Sequence, residues 1–204
     1  MGTGVVAKAL RKRGREVLGI DLSPAMLRRA HQRLGPRVTV ADAASLPFPD
    51  RAFADAFAVW VMHAVADRAA VLHEVARVLR PGGRFVVCNS GAPEPDEMQR
   101  IVGPMLAALE RGNEERNDPE ALATLAEASG FTSLGIGLGA PAPFTEDPVE
   151  VADAMARRSF SALWSVTDEQ WRELVEPAMA ALRALGRCPR TRLRRERVLV
   201  LERR

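Results

Sequence analysis

Apolar positions along the chain alternate between a helical and an extended rhythm. Val5, Val6, Ala9 and Leu10 recur at helical spacing until Gly14, and Glu16 to Ile20 is then a short apolar strand that stops at Asp21. Ser23 and Pro24 supply a capping hydroxyl and a first-turn proline to a helix carrying Met26, Leu27, Ala30 and Leu34, which Gly35 closes. Val38 to Val40 predicts a strand leading to Asp42. Pro47-Phe48-Pro49-Asp50 is turn chemistry, and the apolar run Ala56 to Val61 predicts a strand covered on both faces. Asp67 opens a helix with Val71, Leu72, Val75, Val78 and Leu79 on one stripe; Pro81-Gly82-Gly83 breaks it, and Arg84 to Cys88 is the next strand. Repeated strand, helix, strand units predict an α/β fold with a doubly wound, mostly parallel sheet and helices on both faces. Such sheets bind ligands at the carboxyl ends of their strands, where Gly4, Asp21, Asp42 and the segment after Val59 all fall.

Met98, Ile101, Val102, Met105, Leu106 and Leu109 then form an amphipathic helix, and Asp118-Pro119 starts another that Gly130 ends. Phe131 to Ile136 reads as a strand. Asp147-Pro148 opens a helix through Val151 and Met155, and Thr167 with Gln170 forms a capping box before Trp171, Leu174, Val175, Leu182 and Leu185, a run that Pro177 should kink. Val198 to Leu201 is the last strand. The expected organisation is one domain over 1–204: a ligand-binding core at 1–136, a helical insertion or lid at 137–190, and the last strand within 191–204. Phe160, Trp164 and Trp171 either wall an acceptor pocket or seat the inserted helices on the sheet.

Composition narrows the class. At 204 residues, 47% apolar and 27% charged, the chain can bury one full core. It has no apolar run long enough to span a membrane and no secretory segment at Met1, so a cytoplasmic location without membrane contact is the default expectation. Cys88 and Cys188 lack any metal-ligand rhythm, and no metal site or disulfide framework is expected. The net charge is +3, and Arg190, Arg192, Arg194, Arg195 and Arg197 crowd the C-terminus. Without interleaved aromatics they read as a solvated basic edge, and no nucleic-acid partner is expected.

The candidate chemistry begins at Gly2 and Gly4, at a helix N-terminus whose N–H groups lack partners and can meet a ligand closely. Asp21 follows Gly4 by 17 positions, the arrangement in which a carboxylate accepts hydrogen bonds from ribose hydroxyls. A nicotinamide dinucleotide would satisfy both features as well.

Gly2-Thr3-Gly4, Gly19-Ile20-Asp21-Leu22-Ser23-Pro24-Ala25-Met26-Leu27, Ala41-Asp42-Ala43 with Leu46-Pro47-Phe48, and Arg77-Val78-Leu79-Arg80-Pro81-Gly82-Gly83-Arg84 together resemble the class I S-adenosylmethionine-dependent methyltransferases. Within these the chain is most similar to small-molecule methyltransferases of the ubiquinone-biosynthesis type, over positions 1 to about 136. The resemblance implies a Rossmann-like sheet with an antiparallel last strand, S-adenosyl-L-methionine as cofactor and methyl transfer to a small-molecule acceptor. It implies that Gly2 and Gly4 face the methionine part of the cofactor, that Asp21 binds the ribose hydroxyls, and that Leu22 packs on the adenine. Asp42 would accept from the adenine amino group with Ala43 beside it, and Val59 and Trp60 would wall the sulfonium. His63 matches a position where the family often carries a histidine, either a base if the acceptor must lose a proton or a structural histidine with its hydrogen bonds satisfied.

Two departures stand out. Phe53 is followed by Ala54, with Asp55 one place later than the family's acid, so either the register slips or that acid is gone. The family's first, central strand and the first glycine of its turn would precede Met1, so the sheet is expected to lack that strand. This leaves room for a dimer or a strand-donating partner, and for the alternatives of a methyltransferase-like subunit that no longer catalyses or a truncated gene product whose true start lies before Met1. A nicotinamide-dependent oxidoreductase is the rival among enzymes, although it would not account for the Asp42 and Arg-Pro-Gly-Gly segments.

Overall fold

The computed structural model describes residues 1–89, 95–109 and 118–204. The chain divides into two compact units: Met1–Cys88 with Glu120–Ile136 and Leu199–Arg204, and Asn89–Pro119 with Gly137–Val198.

In the first unit, helix α1 (Val5–Lys12) leads to β1 (Gly19–Asp21), α2 (Pro24–Leu34), β2 (Val38–Val40), β3 (Phe53–Val59), α3 (Arg68–Val78) and β4 (Leu79–Asn89). Helix α5 (Pro119–Ala128), β5 (Phe131–Leu138) and the last strand, β8 (Arg197–Arg203), complete it. The sheet is in two pieces: β1 runs parallel to β2, and separately the order is β3-β4-β8-β5, with β3 parallel to β4. β1 and β3 are therefore edge strands among the described residues, as expected for a sheet without its central strand. The core divides accordingly. Met62, Leu72, Phe85, Phe131 and Leu201 fill the interior of the larger piece, while Ala7, Val17 and Leu34 form a small separate cluster that Met1, Leu10 and Val38 flank.

Local signals set most boundaries. Ser23 caps α2 by accepting the Met26 N–H, Asp67 caps α3 by accepting the Ala70 N–H, and Gly35 ends α2. α1 departs from its apolar stripe: Ala7 is its buried residue, while Val5 and Val6 are exposed. The register shifts between Phe53 and Asp55, with the extra residues on the partner strand. Phe53 pairs with Leu79 and Asp55 with Arg84, so Ala54 alone opposes Arg80-Pro81-Gly82-Gly83, which continue the strand as a bulge rather than interrupting it. A Cβ on Gly83 would sit 2.6 Å from the Ala54 carbonyl oxygen and 2.8 Å from that of Arg80, so this close crossing admits only glycine.

An ion-pair hub fastens the segment before β3 to α3. Arg77 donates to Glu74 (2.7 and 2.8 Å), to Asp50 (2.8 Å) and to the carbonyls of Leu46 (3.0 Å) and Phe48 (2.8 Å). The Arg77 hydrogen bonds, against the opposing effect of burial, lower the Glu74 carboxyl from 4.5 to about 2, aided by the Leu46 N–H. A depressed carboxyl contributes stability that is complete above its unfolded value and is lost as pH falls through the folded one. The melting temperature of the wild type should therefore fall between pH 4.5 and about 2, and that of Glu74→Gln should start lower and change less over the same interval. Parallel slopes for the two proteins in thermal melts would refute this assignment.

The second unit holds α4 (Glu97–Leu109), β6 (Ala142–Glu146), α6 (Pro148–Ala156), a short 3-10 turn (Ser161–Leu163), α7 (Glu176–Ala184) and β7 (Arg190–Arg194). Met98, Met105, Met155, Leu163, Val175, Met179 and Leu182 form its core. Thr167 and Gln170 make the predicted capping box over Asp168–Gln170. Pro177 falls in the first turn of α7, and a π turn at Trp171–Val175 precedes it, which removes the need for the i→i−4 bond a proline cannot make. β6 and β7 form a two-stranded antiparallel sheet in which Phe144 pairs with Arg192. Among the described residues, four of the five clustered C-terminal arginines, all but Arg195, are paired rather than simply solvated. Arg192 is buried and bridges Asp96 and Glu146, Arg190 pairs with Glu97, Arg194 with Glu196, and Arg197 with Asp118.

Candidate functional site

The register of β1 on β2 places Asp21 opposite Val40, and the Ala41 N–H donates to the Asp21 carbonyl, so the chain leaves both strands on the same side. That brings Asp21, Leu22, Asp42 and Ala43 to one strand-end cluster. The glycine turn joins it: the Gly2 N–H donates to Asp21 Oδ2 at 2.6 Å, and the Met1 amino group reaches the same oxygen at 3.0 Å. Asp21 Oδ1 accepts the Ser23 N–H at 2.9 Å, so Ser23 caps α2 with its hydroxyl and steadies Asp21 with its backbone. Burial pushes the Asp21 carboxyl up, but the Ser23 and Gly2 N–H groups and the Met1 ammonium outweigh it and hold the group below the ordinary carboxylate range. A carboxylate oxygen has room for two donors, so Oδ1 can accept one more.

Gly4 holds the turn against α2. It is buried, its φ is +77°, and a Cβ there would lie 3.0 Å from Leu34 Cδ1 and 3.3 Å from Ala30 Cβ. Gly4→Ala should lower stability by about 1–2 kcal/mol from the left-handed backbone alone, measurable by urea denaturation; an unchanged midpoint would contradict this geometry.

Asp42 is exposed, and its Oδ1 accepts the Ala44 N–H at 2.9 Å in a tight local turn. Among the described residues no donor reaches Oδ2 and no acceptor takes the Ala43 N–H. An acceptor oxygen beside a free peptide N–H complements an amino donor next to a ring nitrogen, the edge that adenine presents. Leu22 stands exposed at 66%, an apolar surface available for a flat ligand.

Val59, Trp60 and His63 belong to the other sheet piece. Val59 pairs with Cys88 at the carboxyl end of β3, and Trp60 follows with φ +55° and its N–H donating to the Cys88 carbonyl at 2.9 Å. Trp60 is half exposed, so it is not a plain core residue, whereas Met62 is fully buried and ties the segment bearing the half-buried His63 to the core. Phe160, Trp164 and Trp171 lie in the second unit, where the Trp164 indole donates to the Arg158 carbonyl and the Arg158 guanidinium sits 4.3 Å from the Trp171 ring centre. The Glu74–Arg77 hub is what sequence reasoning passed over; an acid and a base three apart on a helix were its visible signal. No helix of the described residues is long and apolar enough to cross a membrane, and no cluster among them could hold a metal ion.

A methyltransferase-domain family model matches residues 1–87. The chain is 38% identical to the demethylmenaquinone methyltransferase of Tropheryma whipplei over 109 residues, half of this chain and 42% of that protein. It is 32% identical to a demethylmenaquinone methyltransferase of a Mycobacterium species over 191 residues, 93% of this chain and 74% of the relative. The chain thus spans less than half of some curated relatives and about three quarters of others. Among solved structures, a Bacillus halodurans protein described as a methyltransferase superposes with a TM-score of 0.61 at 20% identity, covering 98% of this chain and 88% of that one. The chain belongs to the class I S-adenosylmethionine-dependent methyltransferases of the quinone-biosynthesis type.

Proposed function

We propose that this protein transfers a methyl group from S-adenosyl-L-methionine to a small-molecule acceptor. The supporting observation is the cluster in which the glycine turn, Asp21 and the Asp42-Ala43 pair meet at the ends of two parallel strands. In this reading Gly2 and Gly4 face the methionine part, the open position on Asp21 Oδ1 takes a ribose hydroxyl, and Leu22 packs on the adenine. Asp42 Oδ2 accepts from the adenine amino group while the Ala43 N–H meets a ring nitrogen. Val59 and Trp60 wall the methyl-bearing end. When bound, the cofactor supplies an electrophilic methyl group on a sulfonium, so the protein's main task is to hold an acceptor atom in line. His63 accepts the acceptor's proton where one must leave. Aromatic quinone-like rings are the acceptors to test first, because the matched relatives are named for demethylmenaquinone.

Isothermal titration with S-adenosylhomocysteine and with NAD, followed by transfer of a labelled methyl group to a panel of demethylated quinols, tests this reading. Binding of NAD alone would overturn it. His63→Gln should leave S-adenosylhomocysteine binding within about twofold while lowering turnover on a protonated acceptor about 100-fold or more.

A second reading, a subunit completed by a strand from a second copy or a partner, is favoured by the edges of β1 and β3. Leu18 and Gly19, next to and within β1, share a cavity of about 150 Å³ with Phe48, which stacks edge-on against Phe53 of β3 at 4.9 Å. Phe57 of β3 remains 38% exposed. Light scattering decides it: a monomer that binds S-adenosylhomocysteine normally excludes the requirement for a partner.

A further inference from the structure

We propose that Glu74 and Arg77 of α3 are positioning residues for nucleobase recognition, holding the Asp42–Leu46 loop so that its free acceptor and donor meet the adenine edge together. This rests on the methyl-donor reading above. The pair encloses one residue of the loop: the Leu46 N–H donates to Glu74 Oε2 at 2.6 Å, and the Leu46 carbonyl accepts from Arg77 Nη2 at 3.0 Å. Arg77 also clasps both Glu74 oxygens, at 2.7 and 2.8 Å, so the two side chains form one rigid fork. Leu46 is thereby held through both its backbone groups, as a neighbouring strand would hold it.

The other end of the loop is closed by its own hydrogen bonds. Asp42 Oδ1 takes the Ala44 N–H at 2.9 Å, and the Ser45 N–H donates to the Asp42 carbonyl at 3.1 Å. From beneath, Ala43, Ala44 and Leu46 pack against the cluster that contains Val71, Leu72 and Val75 of the same helix. Five residues are therefore fixed at both ends and along one side, and the groups they leave unused include Asp42 Oδ2 and the Ala43 N–H. Hydrogen bonds weaken steeply with misalignment, so a loop that swings moves both recognition groups out of reach at once. The hub contains its own control. Arg77 Nη1 reaches past the loop to the Phe48 carbonyl and Asp50, both at 2.8 Å, so Asp50 shares the guanidinium without touching Asp42–Leu46.

The test compares Glu74→Ala, Arg77→Lys and Asp50→Asn with the wild type, at a temperature well below the melting point of each. Two ligands are titrated: S-adenosylhomocysteine and S-inosylhomocysteine, in which a carbonyl oxygen replaces the adenine amino group. Amide exchange across 42–46 is followed without ligand. Glu74→Ala and Arg77→Lys should weaken S-adenosylhomocysteine about tenfold or more, bring the two dissociation constants closer together, and speed exchange in the loop while the strands stay protected. Asp50→Asn should stay within about twofold on every measure. A purely structural role would lower the melting point and weaken both ligands in proportion, leaving their ratio unchanged; that result overturns the proposal, as does an Asp50→Asn loss equal to that of Glu74→Ala. A wild type that binds neither ligand overturns it together with the methyl-donor reading, whereas wild-type binding that Glu74→Ala and Arg77→Lys leave unchanged overturns it alone.

Discussion

Arg192→Ala should destabilise the second unit by about 3 kcal/mol, the low end of the range for breaking a buried ion pair. The guanidinium is 6% exposed and holds Asp96 through Nε at 2.5 Å and Nη2 at 3.1 Å, and Glu146 through Nη1 at 2.6 Å. It also lies 5.4 Å from the Phe144 ring centre. Its removal strands two carboxylates and opens space beside an aromatic ring. The loss is not larger because Asp96 and Glu146 keep 34% and 31% of their side-chain surface in water and can hydrate when unpaired. Burial raises the Asp96 carboxyl, but the Arg192 hydrogen bonds and the Gln99 N–H at the start of α4 outweigh it, so its pKa is lowered overall. The stability this group contributes is present above its unfolded value and is lost as pH falls through the folded one. Arg190→Ala, which breaks a more exposed pair with Glu97, should cost far less. Urea unfolding followed by tryptophan emission in a Trp60→Phe background, where Trp164 and Trp171 of the second unit remain, separates these outcomes. Equal losses for the two arginines would show that burial does not govern the Arg192 cluster.

Local physics made much of the fold readable in advance, and long-range pairing accounts for the rest. Ser23-Pro24 with Gly35, Asp67, and Thr167 with Gln170 each act within one turn of chain, and each helix boundary stands where that chemistry puts it. Asp21 and Asp42 were legible as a pair because parallel pairing of β1 and β2 requires both strands to end on the same side. Arg192 was not legible: its partners lie 46 and 96 positions away, and nothing in an arginine-rich tail marks which of its members a distant strand will bury. The Glu74–Arg77 hub was half legible, since the helical spacing shows but the Leu46 backbone it holds lies 28 positions upstream. Pro177 was legible as an interruption, but the form the interruption takes was not. A proline requires a missing hydrogen bond, and the π turn at Trp171–Val175, a feature that itself goes with helix bending, accommodates it.

Asp21→Asn should weaken S-adenosylhomocysteine by about 100-fold, the equivalent of one to two charge-assisted hydrogen bonds. The carboxylate is acceptor-only, and every group around it is a donor: Gly2 and Met1 at Oδ2, Ser23 at Oδ1. An asparagine must turn its NH₂ toward one of these sets, so it loses a tie to the glycine turn or to α2 whichever way it flips. The variant should therefore lose binding and also part of the order of the turn, visible as faster amide exchange near Gly2. Asp21→Glu keeps the charge but displaces it by a methylene, and should recover stability more than affinity. The pH dependence separates this residue from its neighbours. The Asp21 carboxyl lies below its ordinary value, so it remains ionised, and its contribution to binding remains flat, from about pH 5 to 8. Wild-type affinity that falls across that interval would place the ribose contact on a different titrating group and refute the assignment to Asp21.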